Sequence, residues 1–356
     1  MKEIKSQIEL PYKNKEVFVG IDTHKRSWSV SIRIDNTSMK TFSMDPSPDL
    51  LVKHLVKNYP LAKYKCVYEA GFGGFWIHEA LVKENIECLV VHACDIPTTH
   101  KEKNRKTDKN DARKLALELE RGSLEGIYIP SREHQVFRTL SRSREQAVTD
   151  VTRVKNRIKG IVNFYGIELP EHSSGWSKKF IAQLRDLDVH SDDLKDTLTI
   201  YLDDLEHQMS KHDRILCHIK KILEKRDPEL LKRVQSIPGV GLKSATGLIG
   251  EIWDMSRFEN IDKLKSFVGL IPSTHSSGET IREATLTMRR NRFLRKILIE
   301  SAWVAMRHDK VLTDQYFKLK SRMIPQRAIT RIAKKLLSRL RAVWLGEYAY
   351  AKGLES

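Results

Sequence analysis

"EVFVGIDTHKRSWSVSIRI", residues 16 to 34, decides the fold. Two runs rich in β-branched and aromatic residues flank the polar "THKR", so the pattern predicts two short strands joined by a turn. Working outward, "KTFSM" (40 to 44) reads as a third strand and Pro48 to Asn58 as a helix. Strand "KCVYEA" (65 to 70), helix "FWIHEALVKEN" (75 to 85) and strand "ECLVVH" (87 to 92) follow, and then a helix within "NRKTDKNDARKLALELE" (104 to 120). Three strands and then alternating helix and strand describe an α/β layer fold.

Beyond about Ser131 the pattern changes to long amphipathic helices. Val136, Leu140, Ala147, Val151, Val154, Ile158, Ile161 and Val162 recur at spacings of three, four or seven, and the stretch from Leu194 to Lys225 repeats the habit. An antiparallel pair and a dimerising coiled coil both explain such a stripe; the polar link near 171 to 178 favours a hairpin. A third region opens with "SIPGVGLKSATGLIGEI" (236 to 252), the pattern of a helix-hairpin-helix, in which Gly239 and Gly241 let the backbone approach a phosphate. An ordinary turn between helices has the same pattern. The expected division is 1–125 for the α/β domain, 126–228 for the helical insert and 229–356 for a mainly helical C-terminal domain.

The 356 residues suit two or three domains of about 100 to 200 residues each. No apolar run approaches the ~18 residues of a membrane span, and the polar start lacks a signal peptide's apolar stretch, so a cytosolic protein is expected. Cys66, Cys88, Cys94 and Cys217 have no CxxC spacing and read as reduced, buried small residues. The net charge of +17 points to a polyanionic partner. Its placement says more: between Arg282 and Arg341 there are 17 Lys and Arg against four acids. A solvated basic helix accounts for any single run, but a block of this size favours nucleic acid, whose phosphates supply most of the affinity in such interfaces.

Against that background the acids stand out. Asp22 ends the first strand, and Glu69 ends the fourth just before a stretch opened by Gly71, Gly73 and Gly74. Asp108 and Asp111, three apart, share one face of a helix. Four carboxylates this close repel one another without a cation, and phosphoryl transfer needs carboxylates converging on one or two Mg²⁺. Each also has a plain alternative: a turn residue for Asp22, a surface acid for Glu69, and an N-cap with an N3 acid for Asp108 and Asp111.

"VGIDTHK", "YEAGFGGFW" and "KTDKNDARKLA", followed by "SIPGVGLKSATGLIGEI", "SFVGLIPSTHSSGE" and "NRFLRKILIESAWVA", closely resemble the DEDD-type transposases of insertion-sequence family 110, its 1111 subgroup included. The similarity runs in order along nearly the whole chain. It implies an N-terminal RuvC-like (RNase H-fold) domain, a coiled-coil insert and a C-terminal transposase domain. It also implies Mg²⁺ held by Asp22, Glu69, Asp108 and Asp111, and a nucleophilic serine that falls on Ser277, with Ser273, Thr274 and Ser276 as the neighbouring hydroxyls.

The partners implied are donor and target double-stranded DNA and a structured guide, or bridge, RNA, in a homodimer or homotetramer associated with a bacterial or archaeal nucleoid. In such an assembly the acid domain of one subunit meets the serine domain of another. Lys106, Lys109 and Arg113 beside the acids, Gly239, Gly241 and Lys243 in the hairpin, and Arg289, Arg290, Arg292 and Arg295 are the expected nucleic-acid contacts. The competing readings are a RuvC-like junction nuclease and a non-catalytic nucleic-acid-binding module. A tyrosine recombinase is more remote, because Tyr316 has basic neighbours but no Arg-His-Arg framework.

Overall fold

The computed structural model describes residues 11–97, 107–170, 175–189, 191–277, 280–286, 290–346 and 348–351, with the segment 272–286 described by its backbone alone. The chain forms two compact units, one ending at Pro130 and one beginning at Ser131.

The first unit is built on a five-stranded mixed sheet of order β3-β2-β1-β4-β5. β1 (Glu16–Thr23), β2 (Trp28–Ile34) and β3 (Thr37–Met44) form an antiparallel meander, whereas β4 (Lys63–Glu69) and β5 (Glu87–Val91) add in parallel on the other side of β1. The parallel crossovers are helical, as that geometry requires: α1 (Pro48–Asn58) precedes β4 and α2 (Trp76–Lys83) precedes β5. Alternation divides each strand between two faces. Val17, Val19 and Ile21 pack in one core with Leu51, Leu55, Ile77 and Leu81.

The opposite face receives α3 (Asp108–Glu120), which starts at Thr107, whose side chain accepts a hydrogen bond from the Asn110 backbone N–H. Asp108 is therefore a helical residue and not the N-cap, which corrects that alternative. Small residues make the seat. Gly20 and Ser31 are register partners, and Ala112 and Ala116 are fully buried. A Cβ on Gly20 would lie 2.2 Å from the Ala112 carbonyl oxygen and 2.4 Å from the Ala116 nitrogen, so only glycine permits the contact. At the far end of α3, Glu120 accepts from Arg33 at 2.5 Å and from the Asn36 backbone N–H at 2.8 Å, anchoring the helix to the β2–β3 turn.

Among the described residues the second unit is helical except for one hairpin. α4 (Arg132–Phe164) and α6 (Asp192–Arg226) are each roughly 50 Å long at 1.5 Å per residue, with the short α5 (Lys178–Arg185) between them. They run antiparallel: Phe137 shares a core with Ile219 and Leu223, while Ile158 and Val162 share another with Leu198, Leu202 and Leu205. The stripe read from sequence holds along the outer part of α4, but Val136 at its base is 61% exposed and Phe137 is 2% exposed. There the helix faces α8 (Leu242–Ile252), where Phe137 meets Trp253 at 5.2 Å and Gly250 leaves room for it.

The remaining helices are α7 (Pro228–Gln235), α9 (Ile261–Val268), α10 (Arg292–His308), α11 (Lys310–Lys320) and α12 (Pro325–Leu345). They surround one core that includes Leu248, Leu298, Ile332 and Leu336. β6 (Pro272–Ser277) and β7 (Thr280–Leu286) form an antiparallel hairpin where a polar loop was the plain expectation. Two cysteines also depart from expectation: Cys66 and Cys88 are buried, but Cys94 and Cys217 are exposed.

Ion pairs on a buried carboxylate join α4 to α8. Glu251, with no exposed side-chain surface, accepts from Arg138 at 3.0 Å, from Arg142 at 2.6 Å and from Asn291 at 2.7 Å. Burial alone pushes its carboxyl up; the Arg142 hydrogen bond, the two guanidinium charges and the Asn291 bond outweigh that and hold it below its ordinary value. Glu251→Ala leaves the partly enclosed Arg138 and the half-exposed Arg142 without their shared carboxylate and should cost about 1 to 3 kcal/mol, read as a lower urea midpoint near neutral pH. The stabilisation is full above the ordinary pKa of 4.5 and is lost as pH falls from there through the lower folded value, so the two midpoints should converge in acid.

Candidate active site and basic surfaces

The contact that seats α3 also aims its first turn. Asp108, Ala112 and Ala116 lie at i, i+4 and i+8 on one stripe of the helix. Ala112 and Ala116 meet Gly20, and Asp22 projects from the same face of β1 two residues further along. The outcome is a cluster at the end of β1. His24 Nε2 lies 3.2 Å from Asp22 Oδ2 and 3.5 Å from Asp108 Oδ1. Donor atoms of Asp22, His24 and Asp108 all fall within 4.8 Å of one another.

Asp22 is the most enclosed of the three, with 20% of its side chain exposed. Its carboxyl is pushed above the ordinary 3.8, first by burial and then by the charges of Asp108 and Asp111, against the opposing influence of His24. Asp111 is thus within the electrostatic reach of Asp22 although outside the close group of three. It precedes Leu115 by one turn, and Leu115 packs on Val67 and Val91. That puts Asp111 on the β4 side of the helix.

Glu69 is the exposed last residue of β4, one step past the Ile21–Tyr68 register pair and so beside the level of Asp22. Like Val67, it points to the α3 face. Its carboxylate is not part of the close group. The loop after it is tied back by the Tyr68 hydroxyl, which donates to the Gly74 carbonyl at 2.9 Å.

The donor chemistry fits a divalent cation: carboxylates suit Mg²⁺, and the enclosed, electrostatically strained Asp22 gains most from a positive charge beside it. His24 was missed from sequence, where it read as part of a polar turn. Its place two residues after Asp22, hence on the same face of an extended strand, was the available signal.

The expected nucleic-acid contacts have varied surroundings. Lys109 is exposed, and Arg113, also exposed, donates to the Thr41 hydroxyl at 3.1 Å. Lys106 and Arg289 lie outside the described residues. Gly239, at φ +81°, is pressed against α10, where a Cβ would lie 2.2 Å from the Ser301 carbonyl oxygen, so helix packing alone demands glycine there. Gly241 caps α8 beside open space, and Lys243 is exposed in the first turn. A cavity of about 390 Å³ lined by residues 235–241, Val304 and His308 adjoins this turn.

Arg290, Arg292, Arg295 and Lys296 line a groove of about 640 Å³ with Glu145 and Thr149. Arg295 donates to the Gly269 carbonyl, and its guanidinium is shifted down by burial and by the neighbouring Arg290 charge. Such crowding of like charge favours an anion in the groove. Ser277 is the last residue of β6, paired in register with Thr280 across the hairpin; Gly278 lies outside the described residues. Tyr316 is 5% exposed and packs edge-on against Trp303, which removes it as a nucleophile.

A DEDD transposase model of the IS110 type matches residues 19–167, and a model described as "Transposase IS116/IS110/IS902 family" matches residues 231–317. Protein y4qE of Sinorhizobium fredii, named as a transposase, is 24% identical over 92% of this chain and 81% of its own length. The transposase for insertion sequence element IS1111A of Coxiella burnetii is 28% identical over 67% of this chain and 65% of its own. An uncharacterised IS110 insertion-element protein of Streptomyces coelicolor is 31% identical over 30% of this chain and 27% of its own.

The protein is a DNA transposase, an enzyme of DNA strand recombination. Within that class the chain belongs to the IS110 family of insertion-sequence transposases. Among the described residues no helix is long and apolar enough to cross a membrane.

Proposed function

We propose that the chain mobilises an insertion sequence by cutting and rejoining DNA strands through a covalent phosphoserine intermediate on Ser277, with Mg²⁺ held by Asp22, Glu69, Asp108 and Asp111. The observation that carries this reading is the convergence of Asp22 and Asp108 at the end of β1, with Asp111 in its field and Glu69 on the adjoining strand. The strand order and the helix on the α3 face support an RNase H-like assignment of residues 1–125. The long antiparallel pair supports a coiled-coil role for 126–228, and the α7–turn–α8 unit a helix-hairpin-helix within 229–356.

The chemistry follows from the residues. When bound, Mg²⁺ supplies positive charge at the attacked phosphate. The Ser277 Oγ–phosphorus bond forms as a strand P–O bond breaks, the serine proton being lost and the departing strand oxygen taking one up. A hydroxyl of the second duplex then attacks the phosphoserine, releasing serine and joining the strands. The covalent link conserves the bond energy needed for rejoining. A homodimer or homotetramer holds the donor and target duplexes together, and a guide RNA reads sequence while the chain grips backbone, the division of labour used by RNA-guided nucleases.

The basic groove and the hairpin hold phosphate. Because Arg292 is exposed in the groove, Arg292→Ala should weaken DNA binding evenly across sequences. The slope of log K against log salt should flatten by about 0.9, checked by titration at several salt concentrations. The reading as a whole is tested by strand transfer between donor and target duplexes with the copurifying RNA, with Mg²⁺ and after chelation. Joined product only with the cation supports it; intact binding with no cation-dependent transfer favours a binding module.

A further inference from the structure

We propose that His24 is a cation ligand through Nε2, so that the site offers a nitrogen donor beside its carboxylates and binds Mn²⁺ more tightly, relative to Mg²⁺, than carboxylates alone would. This rests on the proposed cation site and deepens it.

Geometry carries the inference. Two adjacent ligands of an octahedral ion, each about 2.1 Å from the metal, lie about 3 Å apart. The His24 Nε2 spacings of 3.2 Å to Asp22 and 3.5 Å to Asp108 are close to that octahedral edge on both sides. A histidine that only oriented Asp22 needs one such contact; this ring stands between two carboxylates, Asp22 and Asp108. Its place also suits the role. His24 directly follows β1, on the Asp22 face, and its side chain is about half exposed, so the ring can adjust to a bound ion without disturbing the core.

The donor set has a chemical consequence. Carboxylate oxygen serves Mg²⁺ and Mn²⁺ alike, whereas imidazole nitrogen favours the transition metal. Exchanging that nitrogen for an amide oxygen should therefore move the preference toward Mg²⁺ by roughly tenfold.

The test uses the full chain loaded with one equivalent of Mn²⁺. Electron spin-echo envelope modulation of the frozen protein should show coupling to a ¹⁴N nucleus. In His24→Gln the bound Mn²⁺ should persist, the ¹⁴N modulation should vanish, and Mg²⁺ should displace Mn²⁺ at roughly tenfold lower concentration. Bound Mn²⁺ in the wild type without ¹⁴N modulation, or modulation that survives in His24→Gln, overturns the inference and leaves the carboxylate site standing. Equal Mn²⁺ binding by wild type and Asp22→Asn overturns the site itself, and the inference with it.

Discussion

Asp22→Asn is expected to reduce strand transfer by about 10³-fold or more, because it removes the most enclosed charge that faces the reacting phosphate's counter-ion. The same substitution should not harm the fold. In the metal-free protein Asp22 is desolvated and repelled by Asp108 and Asp111, which together push its carboxyl up against the opposing influence of His24. An amide of the same shape relieves it, so the thermal midpoint without divalent cations should stay level or rise. Loss of activity together with a level or higher midpoint separates a site built for a cation from a pair of structural acids. A variant that melts earlier and recombines normally would assign Asp22 to the fold. Asp111→Asn should also lose transfer while keeping RNA binding.

Ser277→Ala is expected to abolish recombination and covalent attachment together. A hydroxyl has no substitute as nucleophile in that position if the enzyme conserves the phosphodiester bond energy on itself. Binding of DNA should persist, since the groove lined by Arg290, Arg292, Arg295 and Lys296 is untouched. The neighbouring hydroxyls supply the control. Ser276 precedes Ser277 in β6 and pairs with Ile281, so Ser276→Ala alters a similar side chain in the same hairpin.

Much of the first unit was legible because its strands alternate and its helices are short. The span Pro48–Asn58 was read with its observed bounds, since Ser47 caps it and Pro48 opens it. The expectation that the acids ending β1 and β4 lie side by side needed those strands to be neighbours, an order the sequence did not state and the sheet has. What sequence could not supply was the depth of contact between α3 and β1. That contact depends on Gly20, Ala112 and Ala116, small residues that carry no obvious signal, and it determines that Asp108 meets Asp22.

His24 was lost for a related reason: in one dimension it belongs to a polar turn, and only the returning helix gives it a second carboxylate. In the second unit the stripe of α4 misread its base, where Phe137 rather than Val136 enters the core, because the partner there is Trp253 and α8 instead of α6. Gly239 shows the converse. Its glycine was legible, but the close approach it serves in the fold is to the Ser301 carbonyl.

The central claim is a serine-linked DNA intermediate, and a denaturing gel of protein incubated with labelled donor DNA, guide RNA and Mg²⁺ tests it most directly. The account predicts a protein–DNA adduct that survives denaturation in the wild type and in Ser276→Ala and is missing in Ser277→Ala. Unaltered cleavage by Ser277→Ala would contradict it and leave a metal-dependent junction nuclease in its place.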